Sequence, residues 1–226
     1  METKPSSLLR RALAVLHKDM QVEFRCRYAY SAQVVFAVTT LIAVSFSMGG
    51  RLADPDVAAS MLWVILFFSS MTGLSRSFAQ EEETGTILAL RLAADPEPVL
   101  LGKYLFNAAL LLSLTALIVP LFLVFAGVTV AHPLGFLAIV FLGALGLVGG
   151  GTIIAAIAAR AAVKGALMTV LSFPIVIPLL ISAINGTRLT LGGGAARGVM
   201  PDLWFLFFYN GIIVAASFLL FEHIWD

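Results

Sequence analysis

Six stretches of roughly 20 residues carry almost no charge, and they constrain the fold more than any other feature of the chain. They run over about 29–48, 57–75, 103–126, 133–158, 165–184 and 203–221. Each is long enough to cross a bilayer core about 30 Å thick as a helix. In lipid, every backbone N–H and C=O must find a partner within its own segment, which a helix provides. A closed β-barrel would show alternating segments of about ten residues instead. The expected fold is an all-α integral membrane protein with six transmembrane helices. Only 12% of the 226 residues are charged, and mean hydropathy is +1.00. A soluble domain carries about 25%.

Several function classes fall away. A net charge of +1 gives no electrostatic footprint for nucleic acid. Cys26 is the only cysteine, which excludes an intrachain disulfide. The spans hold no Asp, Glu, Lys or Arg in their middles, against the pattern of a proton- or sodium-coupled transporter. No Gly-x-x-x-x-Gly-Lys-Ser/Thr sequence is present, so the chain does not bind ATP by that route. His17, His132 and His223 are isolated, and no metal site is expected. His132, beside Pro133, reads either as an interfacial polar residue or as a transient haem ligand. The first 28 residues lack an apolar core long enough for a cleavable signal, so none is expected.

Basic residues set the expected orientation. Eleven lie at one end: Lys4, Arg10, Arg11, Lys18, Arg25, Arg27, Arg76, Arg91, Lys103, Arg160 and Lys164. Only Arg51, Arg188 and Arg197 lie at the other. The excess marks the cytoplasmic side and places both termini there. The segment 185–202, with Gly192-Gly193-Gly194, reads as a mobile periplasmic loop.

Two parts are expected: residues 1–28, and a permease domain over 29–226 with an elaborated cytoplasmic loop at 76–102. The first 28 residues read as an amphipathic interface helix. On a 100° wheel, Leu8, Leu9, Ala12, Leu13, Leu16, Met20 and Phe24 share one face. Arg10, Arg11, His17, Lys18, Gln21 and Arg25 share the other. Such a helix lies in the plane of the membrane surface. Asp19 and Glu23 break the pattern on the apolar side. They are read either as an end effect or as facing protein, namely the acidic loop region or a partner's basic residue.

Within the loop, Glu81, Glu82 and Glu83 precede Thr84-Gly85-Thr86. That triplet is suited to capping a helix from about Ile87, and the three carboxylates would complement its dipole. Ile87, Leu88, Leu90 and Leu92, with Arg91 among them, form a short amphipathic surface suited to a partner's groove. Breakers mark two spans. Pro174 and Pro178, four apart, predict a kink and a conformational hinge. The run from Gly143 to Gly151 predicts close helix packing, or else a moving segment.

Phe78-Ala79-Gln80-Glu81-Glu82-Glu83-Thr84-Gly85-Thr86-Ile87, then Leu90-Arg91-Leu92 and Leu101-Gly102-Lys103, resemble the signature of the CcmB family. That family is the haem exporter B permease of the cytochrome c maturation system, a membrane subunit of an ABC transporter. Lys18 to Arg25, Gly149 to Pro178 and Ser217 to Glu222 are similar as well, so the resemblance covers nearly the whole chain. Commoner members carry Asp-Gly-Thr-Leu-Glu and Leu-Ser-Pro where this chain has Thr84 to Leu88 and Ala93 to Pro96.

The resemblance implies an ABC-2-like permease in the bacterial inner membrane, without an ATPase site of its own. It implies an ABC ATPase partner, small membrane haem-handling proteins and a haem chaperone. ATP enters only through the partner, and haem only as a transient guest. An ATP-driven exporter needs two ATPases closing on two docking loops, and this chain offers one strong candidate, so a homodimer is expected, with contact through small-residue faces of spans one and five. Glu81, Glu82, Glu83, Thr84, Gly85, Thr86 and Arg91 are the expected ATPase-docking residues, and Asp19, Glu23 and Arg25 belong to the interface helix. Two other functions fit the same architecture: an ABC-2 exporter of another substrate, and a non-transporting scaffold for haem-handling proteins.

Overall fold

The computed structural model describes residues 8–26, 28–49, 54–74, 78, 81–82, 85–87, 90, 92, 94–159, 164–193 and 196–225. Seven long helices account for most of them. They are α1 (Leu8–Cys26), α2 (Tyr28–Ser47), α3 (Pro55–Leu74), α4 (Pro96–Ala126), α5 (Pro133–Ala159), α6 (Lys164–Leu191) and α7 (Met200–Trp225). A 3₁₀ turn, Ala196–Val199, leads into α7. The described residues contain no strand. Helices α2 to α7 are each long and apolar enough to cross a membrane, which makes the chain a multi-pass, all-α membrane protein.

Two helix ends depart from the hydropathy reading, and each departure has a local cause. Helix α4 begins at Pro96, seven residues before the apolar stretch. Pro96 at the start of the helix lacks an N–H that would have gone unpaired there, and its fixed φ suits the first turn. Helix α4 runs through Pro120 and ends at Gly127, whose φ of 62° is the left-handed conformation of a helix C-cap. Helix α6 continues to Leu191, so residues 185–191 are helical rather than part of a loop. Its polar last turns are held by tertiary partners. Arg188 pairs with Asp56 at 3.3 Å, and Asn185 donates to the Asp202 carboxylate at 2.7 Å. Thr187 accepts the Trp63 indole N–H at 2.9 Å. Both Pro174 and Pro178 lie inside this one continuous helix. Between them, the Ile175 carbonyl accepts the Tyr209 hydroxyl at 2.6 Å.

Helix α5 is the centre of the bundle. In its most apolar stretch 72% of residues are buried, against 11% for α7, which therefore lies at the periphery. Glycines allow α5 to be crowded from several sides. A Cβ on Gly143 would lie 2.1 Å from the Trp63 ring, one on Gly146 2.4 Å from Leu179, and one on Gly151 2.4 Å from Leu74. Without a Cβ these positions let large neighbouring side chains reach the helix backbone, the usual route to tight helix packing in membranes.

The buried apolar residues form two clusters. The larger fills the middle of the bundle around Leu62, Trp63, Leu114, Ile139 and Leu147. The smaller joins Val15 of α1, Phe78, Val99 of α4, Ile154 of α5, and Phe221 and Trp225 of α7. Helix α1 and the last turns of α7 thus meet at one end of the bundle, the termini end, as an even number of spans requires.

Candidate functional site

The site is built on the docking of α1 against α4 at the termini end. Ala12, Val15 and Asp19 recur at helical spacing and are buried. They form a narrow stripe that faces α4. Gly102 makes the approach possible, because a Cβ there would lie 2.6 Å from Val15 Cβ and 2.8 Å from the Ala12 carbonyl oxygen. The amphipathic reading of α1 is thereby divided in three. One face meets protein, Leu9, Leu13 and Phe24 remain exposed beside it, and basic residues occupy the rest.

This docking carries Asp19 to Lys103, the residue next to Gly102. Lys103 is only 2% exposed. Its Nζ lies 3.0 Å from Asp19 Oδ2 and 3.0 Å from Glu81 Oε1. Lys18 Nζ lies 3.1 Å from Asp19 Oδ1 and also pairs with Glu81 Oε1. Each lysine therefore touches both acids, and the four groups close a ring of alternating sign and zero net charge. Isolated charges are too costly to bury, whereas a fully paired set can be held. The Phe78 ring adds a face to the Lys103 ammonium, with Nζ 5.4 Å from its centroid. Burial alone would lower the Lys18 pKa, but its hydrogen bond to Glu81 and the Asp19 charge more than offset that and leave it raised. Lys18 is therefore cationic at neutral pH. At the rim, Arg11 pairs with Asp95, just ahead of α4.

Asp19 thus faces protein, next to the acidic loop segment. Glu23 does as well, through a different bond: its Oε1 accepts the Tyr30 N–H at 2.8 Å and satisfies a donor in the first turn of α2. Arg25 is exposed.

In the loop, Glu81 is buried and directed at the two lysines, while Glu82 is half-buried. Both lie in a helical turn that ends rather than begins at Gly85. Gly85 has φ 68°, its N–H donates to the Glu82 carbonyl at 3.2 Å, and the Thr86 N–H donates to the Glu81 carbonyl at 3.0 Å. This pair of bonds is a helix-terminating motif that glycine favours. Glu81 and Glu82 consequently sit before a helix C-terminus, where the dipole does not favour them. The lysines, not the dipole, compensate Glu81. Thr86 opens the next turn, its carbonyl accepting the Leu90 N–H at 3.0 Å. Ile87 and Leu90 then pack onto the termini-end cluster, while Leu92 is 90% exposed. Glu83, Thr84 and Arg91 lie outside the described residues.

Lys18, Lys103 and Phe78 are the members of the site that the sequence reading did not name as site residues. A signal existed for Lys103. An acid on the buried side of an amphipathic helix needs a buried base, and Lys103 is one of the bases that stand at the mouth of a span.

The histidines are dispersed. His17 pairs with Gln21 at 2.8 Å on α1, and His223 Nδ1 lies 3.1 Å from the Leu219 carbonyl on its own helix. The His132 carbonyl accepts the Phe136 N–H at the start of α5, at the opposite end of the bundle. Among the described residues, no group of three or more His, Cys, Asp or Glu is placed to hold a metal ion.

Comparison with curated proteins gives no match. A family model described as CcmB protein matches residues 10–220, from α1 to the last turns of α7. The chain therefore belongs to the CcmB protein family and is a membrane component of a haem-export ABC system, a permease subunit rather than an enzyme in its own right.

Proposed function

We propose that this chain couples ATP hydrolysis by a separate ATPase subunit to the delivery of haem, or the release of a haem-loaded chaperone, in cytochrome c biogenesis. The buried charge ring is the observation that carries this reading. It ties the 76–102 segment to α1 and to α4, so a push on that segment reaches a helix of the bundle without slack. The ATPase docks on the outer side of the segment. Leu92 supplies an apolar knob there, and Glu82 supplies charge. Glu81 acts from behind as a positioning residue. Residues Glu83, Thr84 and Arg91 complete the docking surface, and Pro174 and Pro178 form the hinge in α6. Two copies of the chain face two ATPases. The contact between copies runs through small residues of spans one and five, and on α2 the small residues Ser31, Ala32 and Ala43 are exposed for it.

The test is a Leu92→Asp, Glu82→Lys double variant. Truncating or reversing contacts at an interface of this kind costs roughly 2–5 kcal/mol. Pull-down of the ATPase should fall at least tenfold, with ATP turnover of the reconstituted complex falling alongside it. Intact association and turnover would remove the segment from docking and favour a scaffold role.

The inner membrane is the proposed location, with both termini in the cytoplasm, on the strength of the eleven-to-three division of basic residues. Single cysteines at Glu82 and Gly193, in a Cys26→Ser background, should label from opposite faces of sealed membranes. Labelling of both from the periplasmic face would overturn this orientation.

A further inference from the structure

A groove of about 380 Å³ lies between α1, α2 and α4, separate from the charge ring. Met20, Phe24, Ala109 and Leu110 give it an apolar wall. Its polar side is Glu23, Tyr30, Ser31 and Ser113, and no cation is among its described lining residues. The Tyr30 and Ser113 hydroxyls are 2.9 Å apart. Ser113 donates to the Leu110 carbonyl at 2.7 Å, so Tyr30 is the donor to Ser113 and the Tyr30 oxygen retains acceptor capacity. Glu23 uses Oε1 for the Tyr30 N–H. Carboxylate and hydroxyl thus present acceptors to the groove.

Depth narrows the choice of occupant. Glu23 and Tyr30 flank the α1–α2 junction, where the first apolar stretch starts. Ser113, bonded to the Tyr30 hydroxyl, marks the inner limit of the groove's polar side. A ligand seated there presents a cationic hydrogen-bond donor to Glu23 and Tyr30 and an apolar part to Phe24, Ala109 and Leu110. The exposed strip of Leu9, Leu13 and Phe24 on α1 leads into the same groove, so it opens where acyl chains lie.

We propose that this groove is a binding site for a phospholipid with a primary-amine headgroup. The ammonium donates to Glu23 and the Tyr30 oxygen, and one acyl chain lies along Phe24, Ala109 and Leu110. A quaternary choline headgroup has no N–H to donate. An anionic glycerol headgroup meets the Glu23 carboxylate with the wrong sign.

The protein purified in mild detergent is titrated with phosphatidylethanolamine and phosphatidylcholine of matched chains, and retained lipid is read by native mass spectrometry. Loss of a charge-assisted hydrogen bond predicts a preference of roughly tenfold for the ethanolamine lipid. Glu23→Gln keeps an acceptor for the Tyr30 N–H, so it should leave thermal unfolding unchanged and abolish the preference. Ala109→Trp fills the wall without touching Glu23 and should reduce retention of both lipids at this site. Equal retention of the two lipids by the parent protein, untouched by either variant, would overturn the proposal. So would efficient crosslinking between copies from a cysteine at position 109, which would place a second protomer over the groove.

Discussion

Lys103→Met is expected to cost about 3–5 kcal/mol of stability, the loss seen when one member of a buried ion set is removed. Lys103 is 2% exposed and contacts both acids at 3.0 Å. Without it, Asp19 and Glu81 face each other across a dry gap, with Lys18 left to serve both. Thermal unfolding in detergent, followed by circular dichroism, should show a midpoint lower by on the order of 10 °C. A triple variant with Lys103→Met, Asp19→Asn and Glu81→Gln removes the stranded charges together. It should recover most of the loss, because replacing a whole buried ion set is close to neutral. Lys18 is half exposed and can turn to water. The recovered protein then separates the two roles of the ring: if the ring transmits force, turnover stays low although the fold is restored. A Lys103→Met protein as stable as the parent would show that the ring is not formed.

Gly143→Leu is expected to be the most disruptive single change in the middle of the bundle. A Cβ at this position would lie 2.1 Å from Trp63 Cη2 and 2.9 Å from two further ring atoms. Trp63 is fully buried and its indole N–H is bonded to Thr187 Oγ1, so the ring has nowhere to retreat without losing that bond. Overpacking of a close-packed interior costs about 1–3 kcal/mol. An orphaned buried donor adds a similar amount. The variant should unfold several degrees lower and show red-shifted tryptophan emission as the Trp63 ring is displaced. Gly211→Leu is the matched control, since a Cβ at Gly211 meets nothing within 4 Å. Equal effects from the two substitutions would mean that general helix sensitivity, not the Trp63 contact, is being measured.

Family membership bears on how these two changes are read. Lys103 sits in the Leu101-Gly102-Lys103 block that carries part of the resemblance, and Gly102 is what lets α1 approach. The two residues act in sequence: the glycine brings the acid within reach, and the lysine receives it. Trp63 and Gly143 belong instead to the general packing of the bundle, on α3 and α5, and their disruption should lower stability without changing ATPase docking.

The sequence alone determined the properties that depend on near neighbours. Uncharged runs of about 20 residues settle the helices in lipid, because backbone pairing there is satisfied within each segment. The 100° spacing of Leu, Arg and Lys over residues 8–25 settles an amphipathic α1. Gly85 announces a left-handed turn because few other residues tolerate a φ of 68°. The direction of that turn was not legible. A glycine between two short helical turns can end the first or introduce the second, and the bonds from Gly85 and Thr86 back to Glu82 and Glu81 decide for the end. Tertiary structure alone chose the ion partners. Lys103 meets Asp19 across 84 positions of chain, and Lys18 meets Glu81 across 63. Hydropathy counts a lysine at the mouth of a span as a boundary marker, whereas the fold buries it. The tertiary structure likewise extended α6 to Leu191, since the polar residues that ended its apolar stretch found partners on α3 and α7. In each case the physical reason is the same. Solvent and lipid preferences are set residue by residue along the chain, but compensation of a buried polar group requires a second group whose position only packing can supply.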